Sequence, residues 1–316
     1  MSKIYLLLTF IFLICRNAES QDIKTSFQKE YHDFNIDTSI RLAVPLGEKF
    51  YCLKSNGSIF VIARITNRID SSYKDNSRQL NLLNLYVRGD SLIGLSKNKN
   101  YLLNSQNNWI PLKKPFSVPP LFEDDKFIVA STCSGEWGGS VYFKDKRTKK
   151  VYTAQAACVV NVKKVNDKYN ITAALAHLSG FGNVFDVKDP LLLALYNPNL
   201  LKGKKIKYVG DNESKSTKGT TQLVDSVGIE SVSSFVYKSQ MFYLVSNNNK
   251  TFITTIQNNK FVNVDQLSEF SIWSYYPINR TYGDQTIYSF GNYQTSGFIT
   301  IENNKLDFYS FNWKHN

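Results

Sequence analysis

Residues 242–264 read Phe-Tyr-Leu-Val-Ser-Asn-Asn-Asn-Lys-Thr-Phe-Ile-Thr-Thr-Ile-Gln-Asn-Asn-Lys-Phe-Val-Asn-Val. Three runs of β-branched and aromatic residues (242–245, 251–256 and 261–264) are separated by two runs of asparagine. Such side chains suit a pleated, half-buried surface. Asparagine tolerates the positive φ that a tight hairpin demands. The stretch therefore predicts a three-stranded antiparallel meander. The same form returns at 287–290, 297–301 and 306–311, with Asn303-Asn304 in the second turn.

Working outward, further strand-like runs fall at 58–65, 81–87, 127–132, 140–143, 151–154, 169–173, 233–237 and 240–245, with turns at Asn56-Gly57 and Asn166-Asp167. Long helical periodicity is nearly absent. The best helix candidate is a short one at 190–196, with Asp189 as cap, Pro190 in its first turn and Pro198 beyond its end. Residues 211–222 are wholly polar and read as an exposed loop. Residues 21–38 read as a lead-in or an edge segment.

Hairpin units recur near 50–66, 82–113, 121–155, 159–187, 229–265 and 270–311. Units of this size cannot bury both faces alone, so neighbours must stack. In this spacing the chain resembles the β-propeller class as an architecture, over residues 39–316. It carries neither the Trp-Asp signature of WD repeats nor the paired glycine of kelch repeats. The resemblance implies an all-β, propeller-like array of about six antiparallel meanders. A large β-sandwich is the competing fold.

Composition agrees with a large folded core: 316 residues, 42% hydrophobic and 14% aromatic, with 19 Tyr and 21 Phe. That is too apolar for a disordered chain, and 4 Cys are too few for a disulfide-built miniprotein. Residues 1–20 read as a secretory signal: Lys3, an apolar run from Ile4 to Ile14, and Ala18-Glu19-Ser20 as a cleavage site. That run is too short to span a bilayer comfortably. The mature chain is thus expected to be secreted or periplasmic, with no transmembrane segment. Three cysteines would remain. Cys133 and Cys158 end two strand-like runs and are the expected disulfide, while Cys52 reads as a buried small residue.

The densest segment is 131–140, Ser-Thr-Cys-Ser-Gly-Glu-Trp-Gly-Gly-Ser. Its glycines predict a tight loop that presents Glu136 and Trp137 outward. An indole face stacks on a sugar ring and a carboxylate accepts its hydroxyls, so Glu136 and Trp137 are candidate ligand-binding residues, with His177 in the apolar stretch 173–182. The leading expectation is an exported, non-catalytic β-repeat protein that binds a ligand or partner through loops on one face. A polysaccharide or another extracytoplasmic protein is the expected kind of partner.

The alternative is a secreted glycan hydrolase with Glu136 as acid, Asp145 or Asp186 as second carboxylate and His177 as base. It requires two carboxylates about 5–9 Å apart. No motif implies a cofactor or a protein-built metal site. Basic residues cluster at 144–150, at Lys163, Lys164 and Lys168, and at 202–207, and the net charge is +12. Together they suggest an anionic surface as partner. With 30 Lys to 8 Arg, they do not suggest specific nucleic-acid reading. Arg88-Gly89-Asp90 spells an adhesion tripeptide but reads as a plain turn.

Overall fold

A computed structural model of the chain describes residues 26–176, 180–197, 208–247, 249–274, 277–291 and 295–312. The secretory-signal segment, His177 and the 202–207 lysines lie outside these residues. Among the described residues there is no α-helix, and no helix is long and apolar enough to cross a membrane.

The chain opens with β1 (Gln28–Asn35) and then builds six antiparallel sheets in sequence order. Blade 1 is β2 (Ile40–Leu46), β3 (Lys49–Lys54), β4 (Ile59–Ala63) and β5 (Arg68–Ile69). Blade 2 is β6 (Asn84–Arg88), β7 (Ser91–Leu95), β8 (Asn100–Leu103) and β9 (Trp109–Pro111). Blade 3 is β10 (Phe122–Glu123), β11 (Phe127–Ser131), β12 (Ser140–Asp145) and β13 (Val151–Gln155). Blade 4 is β14 (Val159–Val165), β15 (Lys168–Leu175) and β16 (Phe181–Val187). After an insertion that carries β17 (Ala194–Leu195), it is completed by β18 (Thr220–Val227). Blade 5 is β19 (Glu230–Tyr237), β20 (Gln240–Asn247), β21 (Lys250–Gln257) and β22 (Lys260–Ser268). Blade 6 is β23 (Ile278–Tyr282), β24 (Gln285–Gly291), β25 (Ser296–Glu302) and β26 (Lys305–Asn312).

The hairpins form where the asparagine turns are. Asn166, Asp167, Asn249, Asn258, Asn259 and Asn303 all have positive φ, the conformation that a two-residue hairpin turn requires. The Arg88–Asp90 tripeptide is likewise the β6–β7 turn, with Gly89 at φ 57°.

The core decides between propeller and sandwich. A sandwich has one slab of apolar side chains between two sheets. Here the buried residues fall into five separate clusters, each lying chiefly between consecutive blades: 1–2, 3–4, 4–5, 5–6 and 6–1. The chain is a six-bladed β-propeller. The seam between blades 6 and 1 packs Phe298 against Tyr309 with ring centroids 4.3 Å apart and nearly parallel, and sets Phe50 against both. Cys52 is fully buried there and unbonded, and burial holds its thiol well above the ordinary range. Two main-chain donors of β2, Ile40 N and Ala43 N, are met by Ser296 and Ser289 hydroxyls across the same seam.

Three elements resolve or differ from the sequence expectation. First, β1 pairs in parallel with β26, from Gln28 opposite Lys305 to Asn35 opposite Asn312. Residues 28–35 are therefore the outer strand of the last blade; of the two readings of 21–38, lead-in or edge segment, the edge segment is the one that forms here. Lys29 reaches Asp265 and the Gln266 carbonyl, and the Tyr31 hydroxyl reaches the Leu267 carbonyl, so β1 also ties blade 6 to blade 5. Second, the 190–196 helix is only a 3₁₀ turn, Pro190–Leu192, although Asp189 does cap it by accepting the Leu191 N–H. The next residues leave as β17, which pairs with β13 on the outer edge of blade 3. Third, residues 211–222 are not a free loop: Glu213 is buried, and residues from Thr220 onward are strand β18.

One seam is different in kind. Among the described residues no buried apolar cluster spans blades 2 and 3. The linker at 112–121 occupies that seam, with the Phe116 ring 5.4 Å from Tyr86.

Candidate functional site

Loop 132–139 joins β11 to β12, and its shape is over-determined. Ser134 leads into a 3₁₀ turn, Gly135–Trp137, and Gly138 leaves it at φ 106°, a value that glycine alone adopts without strain. Gly139 lies so deep that an added Cβ would sit 2.5 Å from the Thr132 carbonyl and 2.7 Å from that of Ala156. At the base of the loop Cys133 is disulfide-bonded to Cys158, the residue just before β14, so the loop of blade 3 is joined covalently to blade 4.

A second restraint comes from the blade 4 insertion, which crosses back to blade 3. Glu213 is 6% exposed. Its carboxylate accepts hydrogen bonds from Thr132 Oγ1 (2.5 Å), Ser134 Oγ (2.8 Å) and Ser140 Oγ (2.6 Å), which brackets the loop at both ends. Burial alone would favour the neutral acid. The three hydroxyl donors and the nearby Lys215 outweigh it and hold the carboxyl below its ordinary value. Ser214 N donates to Ser140 Oγ and Gln155 N to the Ser216 carbonyl, which stitches the insertion along blade 3. Gly210, at φ 86°, lies flat on Trp137: a Cβ there would meet the Trp137 carbonyl at 2.4 Å.

The result is a rigid loop with an apolar crown. Trp137 is 54% exposed, while Tyr208 and Val209, immediately before Gly210, are 72% and 59% exposed. Glu136 is exposed beside the indole. A large aromatic held in place without freedom to collapse loses little entropy on binding, and an exposed indole suits the flat face of a sugar or an apolar side chain. Tyr208 and Glu213 carry no local signature. Tyr208 follows a lysine-rich run, and Glu213 lies in a polar stretch whose partners are 73 to 81 residues away.

The other candidates are elsewhere. Asp145 is buried at the far end of β12, where it accepts the N–H groups of Arg147 and Thr148 and shapes the hairpin turn. The strand from Ser140 to Asp145 places it roughly 16 Å from the Glu136 loop, at about 3.3 Å per residue. Asp186 accepts from Asn170 Nδ2 (3.0 Å) and pairs with Lys168 (3.6 Å), at the end of β16 away from Gly180. Neither meets Glu136. His177 falls outside the described residues. The basic residues at 144–150 and at Lys163 and Lys164 do not share one face either. Lys163 points to the propeller axis, Lys164 pairs with Asp124 (2.7 Å), and the 144–150 lysines sit on the β12–β13 turn.

No protein-family model matches the chain, and no curated protein sequence matches it. Solved structures resemble it at low identity. The β-propeller domain of Myceliophteria thermophila Cps50 (Swd1) is 11% identical at a TM-score of 0.41, over 82% of this chain and 95% of that one. The computationally designed Ika8 protein is 10% identical at a TM-score of 0.40, over 88% and 89% of the two chains. BamB from Moraxella catarrhalis is 8% identical at a TM-score of 0.30, over 78% of this chain and 68% of that one.

Proposed function

We propose that this chain is an exported, non-catalytic propeller that binds a polysaccharide through the Trp137 crown of blade 3. The observation that carries the reading is the exposed Trp137–Tyr208 surface, built on a loop tied down by a disulfide, a triple-hydroxyl carboxylate clamp and a close-packed glycine. The same restraint that braces blade 3 also keeps the Trp137 loop from collapsing onto the blade. It is what a preformed binding surface needs. Glu136 supplies a hydrogen-bond acceptor for sugar hydroxyls next to the stacking face. Against the hydrolase reading, Asp145 is engaged by the Arg147 and Thr148 N–H groups and Asp186 by Asn170 and Lys168.

The test is binding of the wild-type protein to an immobilised panel of neutral and acidic polysaccharides, each glycan also assayed for cleavage. Trp137→Ala should lose at least roughly tenfold in affinity, as loss of an exposed stacking anchor does, while its melting temperature stays near the wild type. Tyr208→Ala should lose less. Wild-type affinity retained by Trp137→Ala would refute the crown. Glycan cleavage that vanishes in Glu136→Gln would replace binding with hydrolysis.

A further inference from the structure

The open seam between blades 2 and 3 leads to a cavity of about 1210 Å³. Four elements line it: β6, the 117–123 segment with β11, β14, and β23. Blades 4 and 6 are not neighbours, yet they meet across the axis here. Lys163 Nζ of β14 donates to Thr281 Oγ1 and Thr286 Oγ1 of blade 6, both at 2.8 Å. From β23, Arg280 crosses to blade 2, where it donates to the Leu85 carbonyl and to Asn84 Oδ1, with its guanidinium 4.0 Å over the Tyr86 ring. These cross-links draw blades 2, 4 and 6 together and leave blade 3 standing off. The space between them is the cavity.

The charges of its lining do not cancel. Glu123 is paired with Lys146 at 2.6 Å, and Lys164 with Asp124 at 2.7 Å. Among the described residues no carboxylate lies within ion-pair distance of Lys163 or Arg280. Both side chains are satisfied only in part, since an ammonium has three donors and a guanidinium five. The Tyr282 hydroxyl, also on the lining, is buried and interacts with the Arg280 guanidinium; as an acceptor from that cation it keeps its own O–H to donate. Tyr86, Phe122 and Tyr282 supply aromatic walls. Two half-buried cations with spare donors, a tyrosine hydroxyl and aromatic walls in one concavity are what recognition of an oxyanion on a compact body requires.

We propose that this cavity is a binding site for a small ligand bearing an oxyanion, with Lys163 and Arg280 as its charge partners and Tyr282 as an added donor. The site is independent of the Trp137 crown. It explains why two cations are placed at the axis with only neutral acceptors around them. Burial pushes Lys163 down to about 8, and a bound anion would restore its charge, so binding must take up a proton above that pH.

The experiment is calorimetric titration of the full-length mature protein with glucuronate, glucose 6-phosphate and glucose at low ionic strength. At least one of the two anions should bind while glucose does not, and which anion binds separates a carboxylate site from a phosphate site. Wild-type affinity should fall as pH rises from about 7 to about 9.5, as Lys163 loses its proton. Lys163→Met and Arg280→Met should each weaken binding by roughly tenfold or more, as loss of one charge-assisted contact does. If either variant fails to fold, the wild-type pH profile carries the test. No heat from either anion, affinity equal to that for glucose, or a flat pH profile overturns the proposal.

Discussion

The seam between blades 6 and 1 and the seam between blades 2 and 3 solve the same problem in opposite ways. The first is filled: Phe298, Tyr309, Phe50 and Phe311 are almost wholly removed from water, and hydroxyls from blade 6 satisfy main-chain donors of blade 1. The second holds one tilted aromatic contact, Tyr86 with Phe116, and a cavity behind it. Blade 3 lacks an apolar partner on one flank and is held from the other. It borrows β17 from blade 4, is bonded to blade 4 through Cys133–Cys158, and offers Asp124 to Lys164 and Tyr169. Burial works against the charged form of Asp124. The bonds from Lys164, Tyr169 and the Phe127 and Lys126 N–H groups overcome it and leave the acid well below its ordinary value. A ring can thus keep an opening at one joint if the next joint is packed and also carries covalent and polar ties.

This contrast can be broken at four points. Phe298→Ala, in the filled seam, should cost about 4 kcal/mol by chemical denaturation, the usual cost of deleting a fully buried ring. A loss under about 1 kcal/mol would mean that the closing seam is not where the ring is held. Replacing both Cys133 and Cys158 by Ser should cost about 3 kcal/mol, from the released chain entropy of a 25-residue separation. Blade 3 should then exchange its amides faster than blade 6. Uniform exchange across blades would show that the disulfide does not carry that flank.

Glu213→Gln should cost about 2 kcal/mol, since one amide oxygen cannot serve three hydroxyls that a carboxylate satisfies. Because the Glu213 carboxyl is held below its unfolded value, its contribution is present at neutral pH and is lost as pH falls through its folded-state value. The wild-type protein and the Glu213→Gln variant should therefore converge in stability on acidification below about pH 4, and a constant gap would exclude the clamp. The smallest effect belongs to the open seam, where Phe116→Ala should cost about 1 kcal/mol or less, as half-buried side chains do. A cost close to that of Phe298→Ala would erase the distinction between the seams.

The meanders were legible because their cause is local. Asn258-Asn259 or Asn166-Asp167 must turn in a left-handed conformation, and the flanking β-branched runs have nowhere to go but back along each other. The loop at 132–139 was legible for the same reason, its glycines lying within a few residues of Trp137. What escaped the reading depends on distant partners. Residues 28–35, Gln-Lys-Glu-Tyr-His-Asp-Phe-Asn, are too polar to choose between lead-in and edge segment, and only β26 makes them a strand. Glu213 looks like any residue of a solvated loop until three hydroxyls from blade 3 surround it. Lys163 reads as one of a surface lysine pair, yet strand alternation sends it to the axis and Lys164 to Asp124. Asp145 and Asp186 were plausible catalytic partners by type alone, and the strands carry them away from Glu136.

The parallel pairing of β1 with β26 also sets an order of events. Blades 1, 2 and 5 are each assembled from one continuous stretch, and blades 3 and 4 draw on the insertion between β16 and β18. The sixth needs residues from both extremities. A polypeptide delivered N-terminus first must keep its earliest strand waiting until the final one arrives, and the ring locks only then.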